Sequence, residues 1–152
     1  MSVDVGAAAP AFQLLDQDGE TFDLAAQKGR WVVVYFYPKD STPGCTVEAC
    51  DFRDNFRRLE AKGAVVVGIS RDSAKSHRNF AEKQSLPFRL LVDDRTEVCQ
   101  LFGIWKLKKF MGRESLGIVR STFLVDPKGK IARVWSPVSV KGHVAEVLAA
   151  IP

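Results

Sequence analysis

Cys45 closes the run Pro38-Lys39-Asp40-Ser41-Thr42-Pro43-Gly44-Cys45, between the apolar stretch Trp31-Val32-Val33-Val34-Tyr35-Phe36-Tyr37 and a segment with helical spacing. A thiol is therefore expected where strand, turn and helix meet. A helix's first turn presents N–H groups without intrahelical acceptors and the positive end of the macrodipole, so a sulfur there is more easily kept as thiolate, the reactive form. The pattern points to cysteine chemistry. Thr42, three residues before Cys45, can bring its hydroxyl beside the sulfur on a tight turn or cap the helix, and the two roles are compatible. Glu48 lies one helical turn after Cys45, where the dipole favours an acid. Pro38 has no side-chain chemistry and is expected to end the strand and wall the site against water. Arg120 heads an apolar strand, where a permanently charged fork is costly to bury without a partner, so it either reaches solvent or has a task.

The elements that position these residues alternate between strand and helix. Ala11–Leu15 and Glu20–Phe22 flank an Asp-Gly turn signal and predict an N-terminal β-hairpin. Trp31–Tyr37 reads as a buried strand, and Pro43–Ala61 as one helix with Val47, Phe52, Phe56 and Leu59 at near-helical spacing. Pro43 suits a first helical turn. Ala64–Ile69 is a second buried strand, Ser73–Gln84 a helix, Phe88–Val92 a strand, and Arg95–Phe102 a short helix ended by Gly103. Val119–Val125 and Ile131–Trp135 form a hairpin around Asp126-Pro127-Lys128-Gly129, and Val140–Ile151 is the last helix. Buried strands joined by helical crossovers imply parallel pairing, and the late hairpin adds antiparallel strands. The expected architecture is an α/β mixed central sheet with helices on both faces.

Composition sets wide bounds. The 152 residues, 46% hydrophobic and 26% charged, match one globular domain spanning 1–152. Met1–Ala7 lacks the basic start and apolar run of a signal peptide, and no stretch approaches a membrane span, so a cytoplasmic protein is expected. Three cysteines cannot all pair within one chain. They read as chemical or packed thiols rather than as a stapling framework. The net charge of +4 is concentrated in Lys106, Lys108, Lys109 and Arg113, interleaved with Trp105, Leu107 and Phe110. That segment is read as a solvated loop with apolar anchors. A non-catalytic binder using residues 106–113, on single-stranded nucleic acid for example, is the alternative function. His77 and His143 sit among polar or small residues and are expected to face solvent. Cys45, Cys50, Cys99 and the two histidines lack the paired spacings of a zinc site, and no nucleotide, flavin or nicotinamide fingerprint occurs, so neither metal nor cofactor is expected.

The filled pattern Pro38-x-x-x-Thr42-x-x-Cys45 resembles the active-site motif of the peroxiredoxins. The longer string Tyr35 to Thr46, with Glu48 and Cys50 following, resembles the bacterioferritin comigratory protein / peroxiredoxin Q subfamily. Val67 to Ser73, Lys108 to Arg113 and Val119 to Asp126 extend the likeness over nearly the whole chain. The resemblance implies a thioredoxin-like fold and reduction of hydrogen peroxide and organic hydroperoxides by a Cys45 thiolate. It further implies stabilisation by Thr42, the Gly44 and Cys45 amides and Arg120, with Glu48 orienting the arginine and a thioredoxin or similar dithiol as reductant. Deprotonation alone cannot supply the catalysis. A free thiol is about 3% ionised near neutrality, so full ionisation gains at most about thirtyfold, whereas enzymes accelerate reactions by about 10⁶-fold or more.

Oxygen transfer would leave a sulfenic acid that must condense with a second thiol. Cys50 is the nearest. Five residues apart on an ideal helix, the two Cα atoms are about 8.7 Å apart on different faces, beyond the roughly 7 Å limit of a disulfide. The start of the helix is therefore expected to unwind in each cycle. Cys99, between Val98 and Leu101-Phe102, reads as a packed thiol and is the reserve resolving candidate. No cysteine-bearing C-terminal arm follows the last helix, which points to a monomer. Aromatic neighbours such as Tyr37 suit a peroxide with an apolar tail.

Overall fold

An uninterrupted run of valines and aromatics such as Trp31–Tyr37 is satisfied only when both of its faces are covered. In the computed structural model, which describes residues 3–152, this run forms β3 (Trp31–Phe36), the middle strand of the central sheet. The reading of the amino terminus lies partly outside the described residues, at Met1 and Ser2. Around β3 the chain sets β1 (Gln13–Leu15), β2 (Thr21–Asp23), α1 (Pro43–Asp54), α2 (Phe56–Ala61), β4 (Ala64–Ser70) and α3 (Ala74–Gln84). There follow β5 (Arg89–Val92), α4 (Glu97–Leu101), β6 (Trp105–Phe110), β7 (Arg113–Ile118), β8 (Ser121–Val125), β9 (Ile131–Trp135) and α5 (His143–Ala150).

The central sheet runs β5-β4-β3-β8-β9. Helical crossovers make β3, β4 and β5 parallel, whereas β8 and β9 pair antiparallel, as a mixed sheet requires. Alternation along β3 divides the core. Val32, Val34 and Phe36 face a layer containing Phe12, Phe22, Cys99, Phe102 and Phe123. Val33, Tyr35 and Tyr37 face the opposite layer, with Cys45, Phe52, Leu59, Phe80 and Val147. The expected N-terminal hairpin forms between β1 and β2, and the Asp16 carboxylate accepts from the Asp18 and Glu20 amides across its turn. Among the described residues no helix is long and apolar enough to cross a membrane.

Three expectations are corrected. The single helix Pro43–Ala61 breaks at Asn55, whose side-chain amide donates to the Asp51 carbonyl at 2.9 Å and competes with the helical ladder. The short helices begin later than expected, at Glu97 and His143, after left-handed Thr96 and Gly142. Residues 106–113 are not a loop. They belong to the β6–β7 ribbon, closed by Met111 and Gly112, both at positive φ, and its Leu107 and Phe110 are exposed rather than anchored.

One close approach governs the middle of the sheet. Gly68 pairs with Tyr35, and a Cβ at Gly68 would stand 2.8 Å from the Tyr35 ring. That ring is stacked on Phe52, with centroids 4.7 Å apart, and cannot step aside. Gly68→Ala is expected to destabilise the fold by about 1–3 kcal/mol in urea unfolding; an unchanged midpoint and slope would show that the ring has room to move.

Candidate active site

β3 ends where the Tyr37 amide donates to the Ile69 carbonyl, and the chain then turns through exposed Pro38 into α1. Thr42 holds the N-cap position with extended backbone, Pro43 is the first helical residue, and the first helical bond runs from the Thr46 amide to the Thr42 carbonyl. The Thr42 hydroxyl makes no cap bond. It donates instead to the Lys39 carbonyl at 2.8 Å, which leaves its lone pairs free and the Gly44 and Cys45 amides uncapped. Cys45 is itself buried, so its sulfur meets this donor array away from bulk water.

Arg120, just before β8, completes the arrangement. One guanidinium nitrogen lies 3.3 Å from Cys45 Sγ, and another donates to Glu48 Oε1 at 2.8 Å. The guanidinium is paired rather than left to solvent, and Glu48, with no solvent exposure, is its ionic partner. Burial of Glu48 outweighs the attraction of Arg120 and raises its carboxyl to about 7. Burial alone would lower Arg120, but Glu48 and Cys45 more than offset it and hold the guanidinium above its ordinary value. Arginine therefore carries charge throughout, and the pair is fully ionic only once Glu48 ionises. Gly44 makes room for this fork, since a Cβ there would lie 3.1 Å from the Arg120 nitrogen.

A second network, missed from sequence, holds the loop before the thiol. The Asp40 carboxylate accepts from Tyr37 at 2.5 Å and Ser76 at 2.8 Å, and lies 2.7 Å from His77 Nδ1. His77 Nε2 donates to the Leu91 carbonyl at 2.8 Å, so a single proton lies between Nδ1 and Asp40. The Asp40 amide donates to Asp72, which also accepts from Ser70. Asp40, Asp72 and His77 bring possible ligand atoms within 4.8 Å of one another, yet these atoms already serve one another and their neighbours. Loop, β4 and α3 are thereby tied together. Removing one member of such a buried pair costs about 3–5 kcal/mol.

The expectation that His77 and His143 face solvent is overturned. His77 has no exposure and His143 only 1%. His77 shares a helix face with Phe80 and Ala81, a spacing that marked it as inward-facing. His143 contacts Thr122 at 2.8 Å and stands edge-on to Phe52 and Trp135, and burial lowers its imidazole to about 4.

The other thiols differ sharply in access. Cys50, half-buried on α1, contacts Gln84 at 3.4 Å. Cys99 belongs to the layer across the sheet from Cys45, and burial together with Asp93 raises its thiol well above the usual range. α1 is continuous through Cys45 and Cys50, and both are free thiols.

The chain has known relatives in both sequence and fold. The model of the AhpC/TSA family matches residues 5–134, and the chain belongs to that family. The peroxiredoxin Bcp of Bacillus subtilis is 50% identical over 148 residues, covering 97% of this chain and 94% of that protein. The Escherichia coli peroxiredoxin Bcp is 48% identical over 143 residues, 94% of this chain and 92% of its own length. Among solved structures, a Xanthomonas campestris bacterioferritin comigratory protein, described for its alkyl peroxide reduction, superposes with a TM-score of 0.91 at 43% identity, covering 97% of each chain. The fold is the thioredoxin-like peroxiredoxin fold.

Two measurements probe this geometry. Gly44→Ala should push the Arg120 fork by a few tenths of an ångström and slow oxidation of Cys45 several-fold with little change in stability; stopped-flow oxidation at the wild-type rate would show that the fork's position is not limiting. Glu48 and His143 give opposite stability slopes. Glu48 holds its proton to about 7 when folded and releases it near 4.5 when unfolded, so its contribution is full below 4.5 and lost as pH rises through 7. His143 stays neutral to about 4 when folded, against 6.5 unfolded, so its contribution is full above 6.5 and lost as pH falls through 4. Each slope is worth up to about 3 kcal/mol, and together they largely cancel. Urea unfolding across this window should show stability rising with pH in Glu48→Gln and falling with pH in His143→Gln, relative to wild type; parallel curves for the three proteins would contradict the assignment.

Proposed function

We propose that this chain reduces hydroperoxides with Cys45 as the attacking sulfur and Cys50 as the resolving thiol. Peroxidase activity accords with membership of the AhpC/TSA family and with relatives named peroxiredoxins. The observation that carries the residue assignment is the Arg120 guanidinium, which contacts Cys45 Sγ on one side and buried Glu48 on the other. In that setting the cation supports the anionic sulfur and the charge growing on the breaking O–O bond. The thiolate attacks one peroxide oxygen, the S–O bond forms as O–O breaks, and the departing oxygen leaves as water or alcohol after taking up a proton. Thr42 and the Gly44 and Cys45 amides supply hydrogen bonds to the oxygens, and Pro38 shapes the turn that presents them.

Sulfur then passes its oxygen on. The Cys50 thiolate attacks the Cys45 sulfenic acid, the disulfide forms, and hydroxide leaves as water once protonated. Cys50 is favoured over Cys99 because the latter lies across the sheet. Forming the bond requires unwinding of the first turns of α1, which breaks the Cys50–Gln84 contact. A thioredoxin or similar dithiol restores both thiols.

Mass spectrometry after one equivalent of hydrogen peroxide tests the assignment, with a Cys45–Cys50 bridge expected. Cys45→Ser should abolish consumption, whereas Cys50→Ser should complete a first turnover and then stall or overoxidise. Arg120→Met should lower the second-order rate about 10²–10³-fold, with little recovered by Arg120→Lys, whose single ammonium cannot span sulfur and carboxylate together. Sustained cycling of Cys50→Ser with thioredoxin, or a bridge through Cys99, would overturn the resolving role.

A further inference from the structure

The β6–β7 ribbon stands apart from the central sheet, and its composition is unusual for a surface hairpin. Residues 105–118 hold four cations and one acid, so they carry +3 of the chain's net +4. At the apex, Phe110 is 77% exposed and Met111 88%. Met111 is the first central residue of a two-residue turn with φ of 50°, followed by Gly112 at 79°, a conformation suited to Asn, Asp or Gly. A bulky residue there costs backbone strain and contributes nothing to the core. It does place an exposed apolar side chain at the end of the ribbon.

The pairing register sorts the rest. Lys106, Lys108, Phe110 and Arg113 share one face, while Leu107 pairs with Leu116 on the other, both more than half exposed. The root is fixed, because Ile118 is buried and the Arg71 guanidinium stacks 5.0 Å over Trp105. Lys108 also donates to the Ile118 carbonyl at 2.7 Å. From root to apex the ribbon spans about 17 Å, and its cations run from Arg113, level with Phe110 and about 3 Å below the tip, back to Lys106 about 17 Å from Met111. That spacing matches an apolar tip entering the headgroup–acyl boundary, where side chains bury by about 5–10 Å, with cations left at headgroup level.

We propose that the β6–β7 hairpin is a docking element for anionic lipid bilayers, with Phe110 and Met111 inserted and Arg113 and Lys106 facing the headgroups, while Lys108 is held by the Ile118 carbonyl and Lys109 pairs with Glu114 at 3.3 Å on the other face. Charge complementarity selects this occupant. A second copy of the chain would set cation against cation. A single strand of nucleic acid needs successive exposed rings to stack on, whereas this face offers Phe110 alone and Trp105 is covered by Arg71. The docking does not depend on the peroxidase reading. It does have a geometric consequence, because the ribbon roots beside Arg71 and Arg120, at the end of the sheet where β3 delivers Cys45. Peroxidised acyl chains at the bilayer surface would then be presented to the reactive end.

Sedimentation with vesicles of phosphatidylcholine and phosphatidylglycerol in equal parts, against phosphatidylcholine alone, tests the proposal in reducing buffer at low salt. Binding to the anionic vesicles is expected, and it should fall at least tenfold in Phe110→Ser/Met111→Gly. Each cation near such a surface is worth about fivefold in affinity, so Lys106→Gln/Arg113→Gln and high salt should weaken binding comparably. The apex changes lie outside the catalytic machinery and relieve the turn, so thermal melts and peroxide consumption should stay at wild-type values, which separates loss of docking from loss of fold. Equal retention on the two vesicle types, or retention unchanged by the apex variant, would overturn the proposal. So would apex-dependent retention of single-stranded DNA, or apex-dependent dimers in sedimentation velocity, without vesicle binding.

Discussion

The site depends on one guanidinium divided between two partners. Arg120 contacts Cys45 Sγ at 3.3 Å and donates to Glu48 at 2.8 Å, and both partners are buried. A cation with no counter-charge would be expensive there, and a carboxylate with no cation more so. Each member is tolerable because the others are present. Glu48 still leaves one carboxylate oxygen without a hydrogen bond, which is why burial prevails in its titration. The cost of holding an acid in this place is recovered as orientation: the fork is held between carboxylate and sulfur.

The fold supplies the reach. Arg120 and Cys45 are 75 residues apart in sequence, yet β8 pairs directly with β3 and brings the two to the same end of the sheet. Parallel strands joined by α1 and α3 place their carboxyl ends together, and the loop from Pro38 to Cys45 leaves from that edge. The Asp40 network then ties this loop to Ser70, Asp72, Ser76 and His77. The loop is a turn braced from two later elements rather than a free excursion.

Much of this could be read from residue order. The apolar run before Pro38, the proline in the first helical turn and the arginine heading an apolar strand each express a local rule, and each residue lies where that rule puts it. What escaped was long-range. His77 and Asp40 are polar in sequence and buried in fact; the spacing of His77 with Phe80 and Ala81 marks its face, but the partner that satisfies it lies 37 positions away. Residues 106–113 read as a loop because lysines and a glycine have low strand propensity, whereas cross-strand pairing overrides it. The break at Asn55 is hidden because the hydrophobic spacing continues through it, while its side-chain amide competes with its own backbone N–H for the Asp51 carbonyl.

That interruption bears on how far a disturbance can travel. Alone, α1 is a twelve-residue helix, near the length at which an isolated helix in water is only marginally stable. Beyond Asn55, α2 is pinned by Leu59 in the core, and the adjoining Lys62 ammonium grips the Leu148 and Ile151 carbonyls at the end of α5. Fraying that starts near Cys45 therefore meets a firebreak after about three turns. If the proposed resolving step unwinds the start of α1, that segment has somewhere to stop, and the wall of the molecule behind it keeps its own ties.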